Sequence, residues 1–493
     1  MIEKLIAELF SIQYEKRLLI FDTSGFCAAF DYTRLLISQN FEVIQYEDIE
    51  AFRLRYEQEI RNSDNKYAVI VYSDIYVPYD IRKQFFEVEI SLRSIFPKLH
   101  EDTVRRYIKD IDLISFAYRE LYSTCEDREK TERFIFDTVF SKKNIKDYCE
   151  AMVKTLLPSG DTSGITANGW IEIARKKALI DYYAAKANIS IDTSFVDAEF
   201  EKFIFDGYQK LSGETNKQAP AILPKVIDFI ARGKTALIVM DGMSLFDFEI
   251  ISRYLEGIEY EYQCTYALIP TTTAISRQGL LSGKYPRQLK NPFSLSQEEK
   301  GFMEAAQNAG YTKRQILYAK GYNPPISHFT KFAAIIINNI DDLVHGQKQD
   351  RVGMYNDVSL MAKEGKLQSL IKDLYAQGFN IYITSDHGNT PCIGAGVIRN
   401  VGVEVETRSK RMLVLKDFAE EKDSLEDKVV TYPGYYLDKD YKYYVCESGV
   451  SFDNKNEEVM THGGISIDEV IVPFIKIKAV NLDGKNNWTV PSH

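Results

Sequence analysis

The chain lacks the features that would place it in a membrane or on a secretory route. No apolar run in its 493 residues approaches the length of a membrane span. The first ten residues contain Glu3, Lys4 and Glu8, so the apolar core of a signal peptide is missing. The six cysteines are scattered without a Cys-x-x-Cys pair, which is typical of a reducing compartment. We therefore expect a cytoplasmic protein that does not associate with membranes.

Excess positive charge, internal repeats and low-complexity tracts are also absent from the sequence. The formal net charge of −10 argues against a protein that coats nucleic acid, although it leaves room for a small basic groove. What the chain does have is 45% apolar residues, enough to build large cores. Its length predicts about two to four domains.

The order of the apolar patterns predicts three regions. Residues 1–90 alternate strands and helices, which predicts a small α/β domain with a parallel sheet. Residues 91–230 carry long amphipathic patterns and predict a helical region. In residues 231–493 apolar strands return between helices, so this half predicts a doubly wound α/β sheet. The expected fold class is therefore α/β.

The first region invites comparison with the receiver domain of a response regulator. Asp22 ends its first strand, where a receiver holds a metal with two acids. Thr23 follows instead of a second acid, so the metal pocket is short of one carboxylate. An interaction or scaffolding role is the preferred interpretation.

Metal-capable residues collect where the strands of the third region end. Asp341 and His345 are four residues apart and would face one way on a helix. Three of the six histidines lie among these residues, and α/β sheets hold their sites at such strand ends. Carboxylates and imidazoles are suitable ligands for two zinc ions, and two such ions can hold the attacking and the leaving oxygen of an in-line phosphoryl displacement. The residues are Asp241, Asp341, His345, Asp386, His387 and His462.

A threonine turn, Thr271–Thr273, stands between an apolar run and a helical pattern. Considered alone, three threonines are typical of a helix cap. Beside metal ligands, a threonine hydroxyl becomes a candidate nucleophile, because coordination to a metal lowers its pKa. The residue pattern itself leaves open which of the three would act.

With these motifs, the chain from about residue 233 to 480 resembles a PglZ domain, a branch of the alkaline phosphatase superfamily. In the superfamily's Pro-Thr-x-Thr pattern the fourth residue is the nucleophile, and this resemblance selects Thr273. Residues 1–230 are also similar to the leading regions of PglZ proteins from bacterial phage-exclusion defence systems. The motifs that carry the resemblance are 239–244, 270–277, 341–345, 385–388 and 461–464.

The resemblance also implies how the ligands divide between two zinc ions. Asp342 competes with Asp341 for one position, and the four-residue spacing to His345 favours Asp341. The implied sets are Asp241, Thr273, Asp386 and His387 on one ion, and Asp341, His345 and His462 on the other.

Arg277 is the nearest cation in sequence to Thr273, and a guanidinium can hold phosphate oxygens in a bidentate manner. The stretch 273–277 overlaps the sulfatase signature, Cys or Ser followed by x-Pro-Ser-Arg. Threonine cannot become formylglycine, and Ile275 replaces the proline, so a sulfatase is disfavoured. Because its guanidinium lies close in sequence to Thr273, Arg277 is predicted to bind a phosphoryl group.

The residues predict a two-zinc phosphohydrolase, and the resemblance implies a phosphodiesterase for nucleotides or nucleic-acid-type diesters in a bacterial phage-defence system. One alternative is a non-catalytic zinc-binding scaffold in a defence or signalling assembly, with protein partners docking through residues 1–230. The other alternative is a phosphomonoesterase. Five basic residues could line a groove for a polyanion, although solubility explains them more simply: Lys284, Arg287, Lys290, Lys313 and Arg314.

Overall fold

The computed structural model describes residues 1–23, 25–72, 75–347, 350–396, 409–416 and 429–482. The described residues form two compact units, residues 1–148 and residues 149–482. The region boundaries at 90 and 230 remain a prediction, and the end of the third region, residues 483–493, lies outside the described residues. None of the helices in the described ranges combines the length and apolar character that crossing a membrane requires.

The first unit is built on a four-stranded parallel sheet in the order β2-β3-β1-β4. Its central strands are apolar on both faces, as expected when helices cover a parallel sheet. The strands are β1 (Arg17–Phe21), β2 (Phe41–Gln45), β3 (Lys66–Val71) and β4 (Phe86–Glu89). The helices are α1 (Ile2–Leu9), α2 (Phe26–Ala29), α3 (Thr33–Ser38), α4 (Ile49–Arg55), α5 (Tyr79–Arg82), α6 (Leu92–Ile95), α7 (Glu101–Arg106), α8 (Ile111–Tyr118) and α9 (Arg128–Arg133), and α10 (Lys142–Val153) crosses the boundary between the two units.

Asp22, at the end of β1, is engaged by its own chain. Its carboxylate accepts hydrogen bonds from the backbone N–H groups of Phe26 at 2.6 Å and Cys27 at 2.7 Å. The Tyr32 hydroxyl donates a third bond at 3.0 Å. The carboxylate therefore satisfies the first turn of α2, which is a structural role, and the interaction or scaffolding role of this region remains a prediction.

The second unit surrounds a mixed six-stranded sheet in the order β6-β16-β9-β5-β8-β7. Its strands are β5 (Thr235–Met240), β6 (Ile258–Tyr266), β7 (Ile316–Lys320), β8 (Phe332–Ile337), β9 (Asn380–Thr384) and β16 (Ile471–Val480). Strands β7, β8, β5 and β9 are parallel, whereas β16 is antiparallel to both β9 and β6. The predicted α/β fold class, with its wound sheet in the C-terminal half, is confirmed.

The remaining elements of the second unit flank this sheet or form two small sheets. The small sheets run in the orders β14-β10-β15 and β11-β13-β12. Their strands are β10 (Thr390–Gly394), β11 (Met412–Lys416), β12 (Val429–Tyr432), β13 (Tyr441–Cys446), β14 (Val450–Ser451) and β15 (Glu458–Thr461). The helices are α11 (Ala167–Ala187), α12 (Phe195–Asp206), α13 (Val226–Ile230), α14 (Leu245–Ser252), α15 (Thr273–Ser282), α16 (Glu298–Asn308), α17 (Asn339–Gly346), α18 (Asp350–Lys363), α19 (Lys366–Ala376) and α20 (Ile467–Val470).

The main core of the second unit lies between the sheet and its helices. All side chains of β5 and β8 are buried, which is why both strands are continuous apolar runs. Val239, Phe332 and Phe474 belong to this core, together with residues of α13, α15 and α16. Rigid central strands fix the direction in which the residues after β5, β8 and β9 leave the sheet.

Candidate metal centre

Three neighbouring parallel strands bring carboxylates to one edge of the central sheet. β5 lies between β8 and β9 and runs in the same direction as both. Asp241 follows β5 directly, Asp341 lies in the first turn of α17 after β8, and Asp386 follows β9. Because the carboxyl ends of parallel strands meet at one edge, residues far apart in sequence become neighbours.

The three threonines of the turn before α15 have different surroundings. Thr271 Oγ1 lies 2.9 Å from the carbonyl oxygen of Gly464. Thr272 is the residue that caps α15, but its buried hydroxyl has no hydrogen-bond partner among the described residues. Thr273 Oγ1 lies 3.1 Å from Nε2 of His387. Of the three hydroxyl groups, that of Thr273 is the one that contacts a predicted ligand, and its role as nucleophile remains a prediction.

A first group of possible ligands consists of Asp241, Asp386 and His387, whose ligand atoms lie within 4.8 Å of one another. His387 Nε2 is 3.8 Å from Asp241 Oδ1 and 3.9 Å from Asp386 Oδ2. Burial and the negative charge of Asp386 raise the pKa of Asp241 well above its usual range. Burial also raises the pKa of Asp386. The Arg277 guanidinium offsets part of the charge of these two buried carboxylates, and a cation between them would offset the rest.

The His387 ring is held in the orientation that a metal ligand needs. Its Nδ1 lies 3.0 Å from the backbone carbonyl of Gly388, so Nδ1–H donates there and the Nε2 lone pair is directed to the carboxylates and Thr273. Burial, reinforced by the neighbouring His462, lowers the pKa of His387 to about 4. The neutral imidazole that metals bind is therefore the ordinary state of this side chain near neutral pH.

A second group consists of Asp341, His387 and His462. His462 Nε2 lies 3.3 Å from Asp341 Oδ1, and its ring stacks on His387 with centroids 4.1 Å apart. His462 Nδ1 donates to the backbone carbonyl of Thr271 at 2.9 Å. Burial lowers the pKa of His462, but the hydrogen bond and charge of Asp341 outweigh burial and raise it to about 9. His387 is a member of both groups of possible ligands.

The structure also distinguishes the remaining predicted ligands. His345 Nε2 is 3.4 Å from Asp341 Oδ2, but its side chain is 60% exposed and lies at the rim of the second group. Asp342, the competitor of Asp341, is exposed and belongs to neither group. The helical spacing places Asp341 and His345 on the same face of α17. Asp342, one position further along the helix, lies on a different face that is exposed to solvent.

Arg277 lies in a different setting from the one its predicted role implies. Its guanidinium is buried and donates from Nη1 to Asp241 and from Nε to Glu298 at 2.7 Å. Burial opposes the charge, but the carboxylates around it, first Asp241, raise its pKa above the usual range. Its other contact is from Nη1 to the Asn338 amide oxygen at 3.5 Å, and its predicted contact with a phosphoryl group remains a prediction.

Other residues that support the centre were missed by the sequence analysis. Asn389 donates to the carbonyl of Gly242 at 2.8 Å and to Asp247 at 2.6 Å. Gly242 has φ +74°, and a Cβ there would lie 3.4 Å from atoms of Asp341. Ser244 and Asp247 form a capping box on α14, a pattern that the sequence does display. These residues fix the turn that follows Asp241.

The five basic residues do not share one edge of the sheet. Lys313 and Arg314 precede β7, which is parallel to β8 and β5, so they stand at the amino ends of the strands. That edge is opposite to the one that carries Asp241. Lys284 lies 3.4 Å from Glu304 across the gap between α15 and α16. A groove that uses all five residues at the centre is therefore excluded by the strand directions.

The side chains present fit divalent metal ions such as zinc. Nitrogen and carboxylate oxygen are the donors zinc takes, and catalytic zinc sites keep one position open. The buried oxygens Asp241 Oδ1 and Asp386 Oδ2 have no hydrogen-bond partner in the part of the chain that the structure describes. A cation between them would satisfy both oxygens.

Comparison with protein families gives a match to residues 224–477 for the BREX system PglZ alkaline phosphatase-like domain. A search of curated proteins finds no match.

Solved structures similar to this chain share little sequence with it. Murine ectonucleotide pyrophosphatase/phosphodiesterase 5 is 15% identical with a TM-score of 0.36, covering 49% of this chain and 87% of that one. Phosphonoacetate hydrolase from Sinorhizobium meliloti 1021, in complex with phosphonoformate, is 11% identical with a TM-score of 0.33, covering 50% and 90%. Human ectonucleotide pyrophosphatase/phosphodiesterase 5 is 15% identical with a TM-score of 0.33, covering 49% and 87%.

Proposed function

Because the chain belongs to the family of BREX system PglZ alkaline phosphatase-like domains, we propose that it is a two-zinc phosphodiesterase with Thr273 as its nucleophile. The observation that carries the proposal is the 3.1 Å approach of Thr273 Oγ1 to Nε2 of His387. His387 belongs to both groups of candidate ligands, so the hydroxyl stands where both groups meet. Family membership supports a phosphoesterase-type activity; the nucleophile, the metal and the diester preference are parts of the proposal.

The proposed ligands are the two sets that the family resemblance implies. When bound, two zinc ions would lower the pKa of the threonine hydroxyl and hold the attacking and leaving oxygens. Asp341 would contribute the carboxylate that orients His462, and Thr271 would orient the same ring through its carbonyl. The sets are Asp241, Thr273, Asp386 and His387, and Asp341, His345 and His462.

The reaction proceeds in two displacements at phosphorus. Thr273 Oγ1 gives its proton to solvent and forms a bond to phosphorus, while the bond to the leaving alkoxide breaks and the alkoxide takes a proton from solvent. Water then attacks phosphorus and gives up a proton, the bond to Thr273 Oγ1 breaks, Oγ1 regains a proton from solvent, and a phosphate monoester is released. Because α15 begins at Thr273, the N–H groups of its first turn and the positive end of the helix dipole would face the phosphoryl oxygens. This arrangement favours the charge that develops in the transition state.

A diester is preferred over a monoester because of the charges available. A monoester carries an extra negative charge that a site must hold with an additional cation. Arg277 is the candidate cation nearest in sequence to Thr273, and it is already engaged by Asp241 and Glu298. Nucleotides or nucleic-acid-type diesters are the proposed substrates, and a phosphomonoesterase is the less favoured candidate.

The location and partners are further parts of the proposal. We infer cytoplasmic action in a bacterial phage-defence system, because the family description names the BREX system. Protein partners would dock through residues 1–230. A non-catalytic zinc-binding scaffold is the competing function, and it would use the same docking region without turnover.

A metal-loading experiment tests the proposal against the scaffold. The purified chain would be loaded with zinc, analysed for bound metal and assayed with bis-p-nitrophenyl phosphate and p-nitrophenyl phosphate. We expect about two zinc ions per chain and faster turnover of the diester. Zinc binding without turnover of either ester would support the scaffold, and preference for the monoester would support a phosphomonoesterase. A chain without bound zinc would contradict both functions.

A further inference from the structure

One buried glutamate contacts three of the sequence motifs that build the metal centre, although it belongs to none of them. Glu469 lies in α20, is fully buried and is seven residues beyond His462. Together with Ser466 it forms a capping box, Ser-x-x-Glu, before the apolar run of β16. A surface helix cap needs no such burial, so the contacts of Glu469 decide what it does.

Its first carboxylate oxygen joins the His462 turn to the threonine turn. Oε1 accepts the backbone N–H of Gly464 at 2.8 Å and lies 3.3 Å from the Thr271 hydroxyl. The Thr271 hydroxyl in turn accepts the N–H of Gly463 at 3.0 Å. The Thr271 carbonyl fixes the His462 ring through Nδ1. Thr271 and Glu469 therefore set the orientation of His462 relative to Thr273, two residues beyond Thr271.

Its backbone reaches the third motif. The carbonyl oxygen of Glu469 accepts the N–H of Gly388 at 2.9 Å, directly after the His387 ligand. The approach is close, since a Cβ on Gly388 would lie 1.9 Å from the carbonyl oxygen of Asp468. The same short helix thus fixes the turn that carries His387 and the turn that carries His462.

The second carboxylate oxygen anchors Glu469 to a buried arginine. Oε2 accepts from Nη1 of Arg411 and from the Ser466 hydroxyl at 2.6 Å. Arg411 is fully buried and also donates to the carbonyls of Val450 and Glu447, both at 3.1 Å. A cation held by two carbonyls is a rigid partner, so Glu469 cannot turn away from Gly464 without leaving buried charges unpaired.

We propose that Glu469, acting with Thr271, is the positioning residue of the centre: it holds the His462 turn against the threonine turn, so that the second ligand group and Thr273 keep their relative geometry. The inference rests on the proposed function for its effect on catalysis, but its effect on metal binding does not require turnover. Loss of this contact lowers the affinity of the second group and lowers kcat, while KM changes little, because neither residue touches the substrate.

The matched threonines of the turn supply the test. Thr271→Val removes the hydroxyl at constant shape, Thr271→Ser keeps a hydroxyl, and Thr272→Val removes a hydroxyl that has no partner among the described residues. Titration with Co²⁺, followed by visible absorption, reports affinity and coordination geometry without any assay of activity. We expect Thr271→Val to weaken Co²⁺ binding about 10–100-fold and to change the spectrum. Thr271→Ser and Thr272→Val should match the parent.

Glu469→Gln is the second arm. It keeps an acceptor for Gly464 but removes the charge that pairs with Arg411, so weaker Co²⁺ binding of the folded variant is expected. Should this variant not fold, the threonine variants still decide the question. Glu249→Gln serves as the matched control, because it removes the charge of Glu249 on α14, whose carboxylate lies 2.9 Å from the Arg253 guanidinium.

The outcomes separate the inference from the proposed function. Co²⁺ binding and spectra that are the same in Thr271→Val as in the parent overturn the positioning role, whether or not the parent hydrolyses diesters. A parent that binds no Co²⁺ also overturns it. A parent that binds Co²⁺, with Thr271→Val impaired, but that turns over no ester supports the positioning role and contradicts the phosphodiesterase.

Discussion

Arg277 and Asp241 form a buried ion pair at the carboxyl end of β5, with the guanidinium donating to the carboxylate. Glu298 accepts from the same guanidinium at 2.7 Å. From sequence, Arg277 was predicted to hold a phosphoryl group. The contacts instead connect it to a proposed zinc ligand, so it can act by fixing the direction of Asp241. The two roles differ in what a substitution changes.

We therefore expect Arg277→Lys to weaken zinc binding by about tenfold and to lower kcat, because a lysine cannot hold two carboxylates in a fork. A phosphoryl contact would instead raise KM and leave zinc affinity unchanged. Zinc competition with a chromogenic chelator and steady-state kinetics on the same preparations separate these results. Arg253→Lys, at the Glu249 ion pair, is the matched control.

Adjacent aspartates in α17 provide a second prediction. Asp341 lies in the second ligand group, whereas Asp342 is exposed. We expect Asp341→Asn to lose about one zinc ion per chain, since an amide is a poor ligand for zinc. Asp342→Asn should keep the zinc content of the parent. Metal analysis after dialysis measures both, and equal zinc content in the two variants would contradict the assignment of Asp341.

The buried ion pairs of α11 predict a large stability effect. Lys177 Nζ lies 2.9 Å from Asp181 and 2.7 Å from Asp468 of α20, with all three side chains buried. Lys177→Met leaves buried carboxylates with one cation fewer, so we expect the free energy of unfolding to fall by about 3 kcal/mol. Urea unfolding followed by fluorescence of the buried Trp170, in a Trp488→Phe background, measures it.

Lys202→Met is the control for this prediction. Lys202 pairs with Glu199 on α12 in the same unit, but its side chain is 66% exposed. Exposed ion pairs contribute little, so this variant should unfold like the parent. Equal loss of stability in the two lysine variants would contradict a larger contribution of the buried ion pairs to the free energy of unfolding.

Asp247 predicts how stability depends on pH. Burial raises the pKa of this carboxyl to about 6, above its ordinary 3.8, and its Oδ1 has no hydrogen-bond partner among the described residues. Between pH 4 and pH 6 this carboxyl therefore binds more protons in the folded than in the unfolded state, and its contribution to the free energy of unfolding falls as the pH rises.

Replacing Asp247 with asparagine removes this titration. The free energy of unfolding of Asp247→Asn minus that of the parent should increase by up to about 3 kcal/mol from pH 4 to pH 7. Urea unfolding at a series of pH values measures the difference. A difference that stays constant with pH would contradict the raised pKa of Asp247.

The sequence predicted those parts of the molecule that depend on local pattern. β5 and β8 are continuous apolar runs and were recognisable as buried strands. Asp341 and His345 lie on one face of α17 because their spacing equals about one helical turn. Once the strands are known to be parallel, the carboxylates after them must share one edge of the sheet.

Long-range contacts were beyond the sequence. Nothing near Arg277 in sequence indicates Asp241 or Glu298 as its partners, because the pair forms only when α15 packs beside β5 and α16. The contact between Thr271 and Glu469 spans almost two hundred residues and depends on how β16 lies in the sheet. Ser466-x-x-Glu469 was visible as a capping pattern, but its burial was not.

The central claim is that the Thr273 hydroxyl attacks phosphorus. Its most direct test is turnover of bis-p-nitrophenyl phosphate by the zinc-loaded Thr273→Ala variant, beside Thr272→Ala as the neighbouring control. We expect Thr273→Ala to keep its fold and zinc content largely intact and to lose activity by about a thousandfold or more, while Thr272→Ala stays close to the parent. Full activity in zinc-loaded Thr273→Ala would contradict the account.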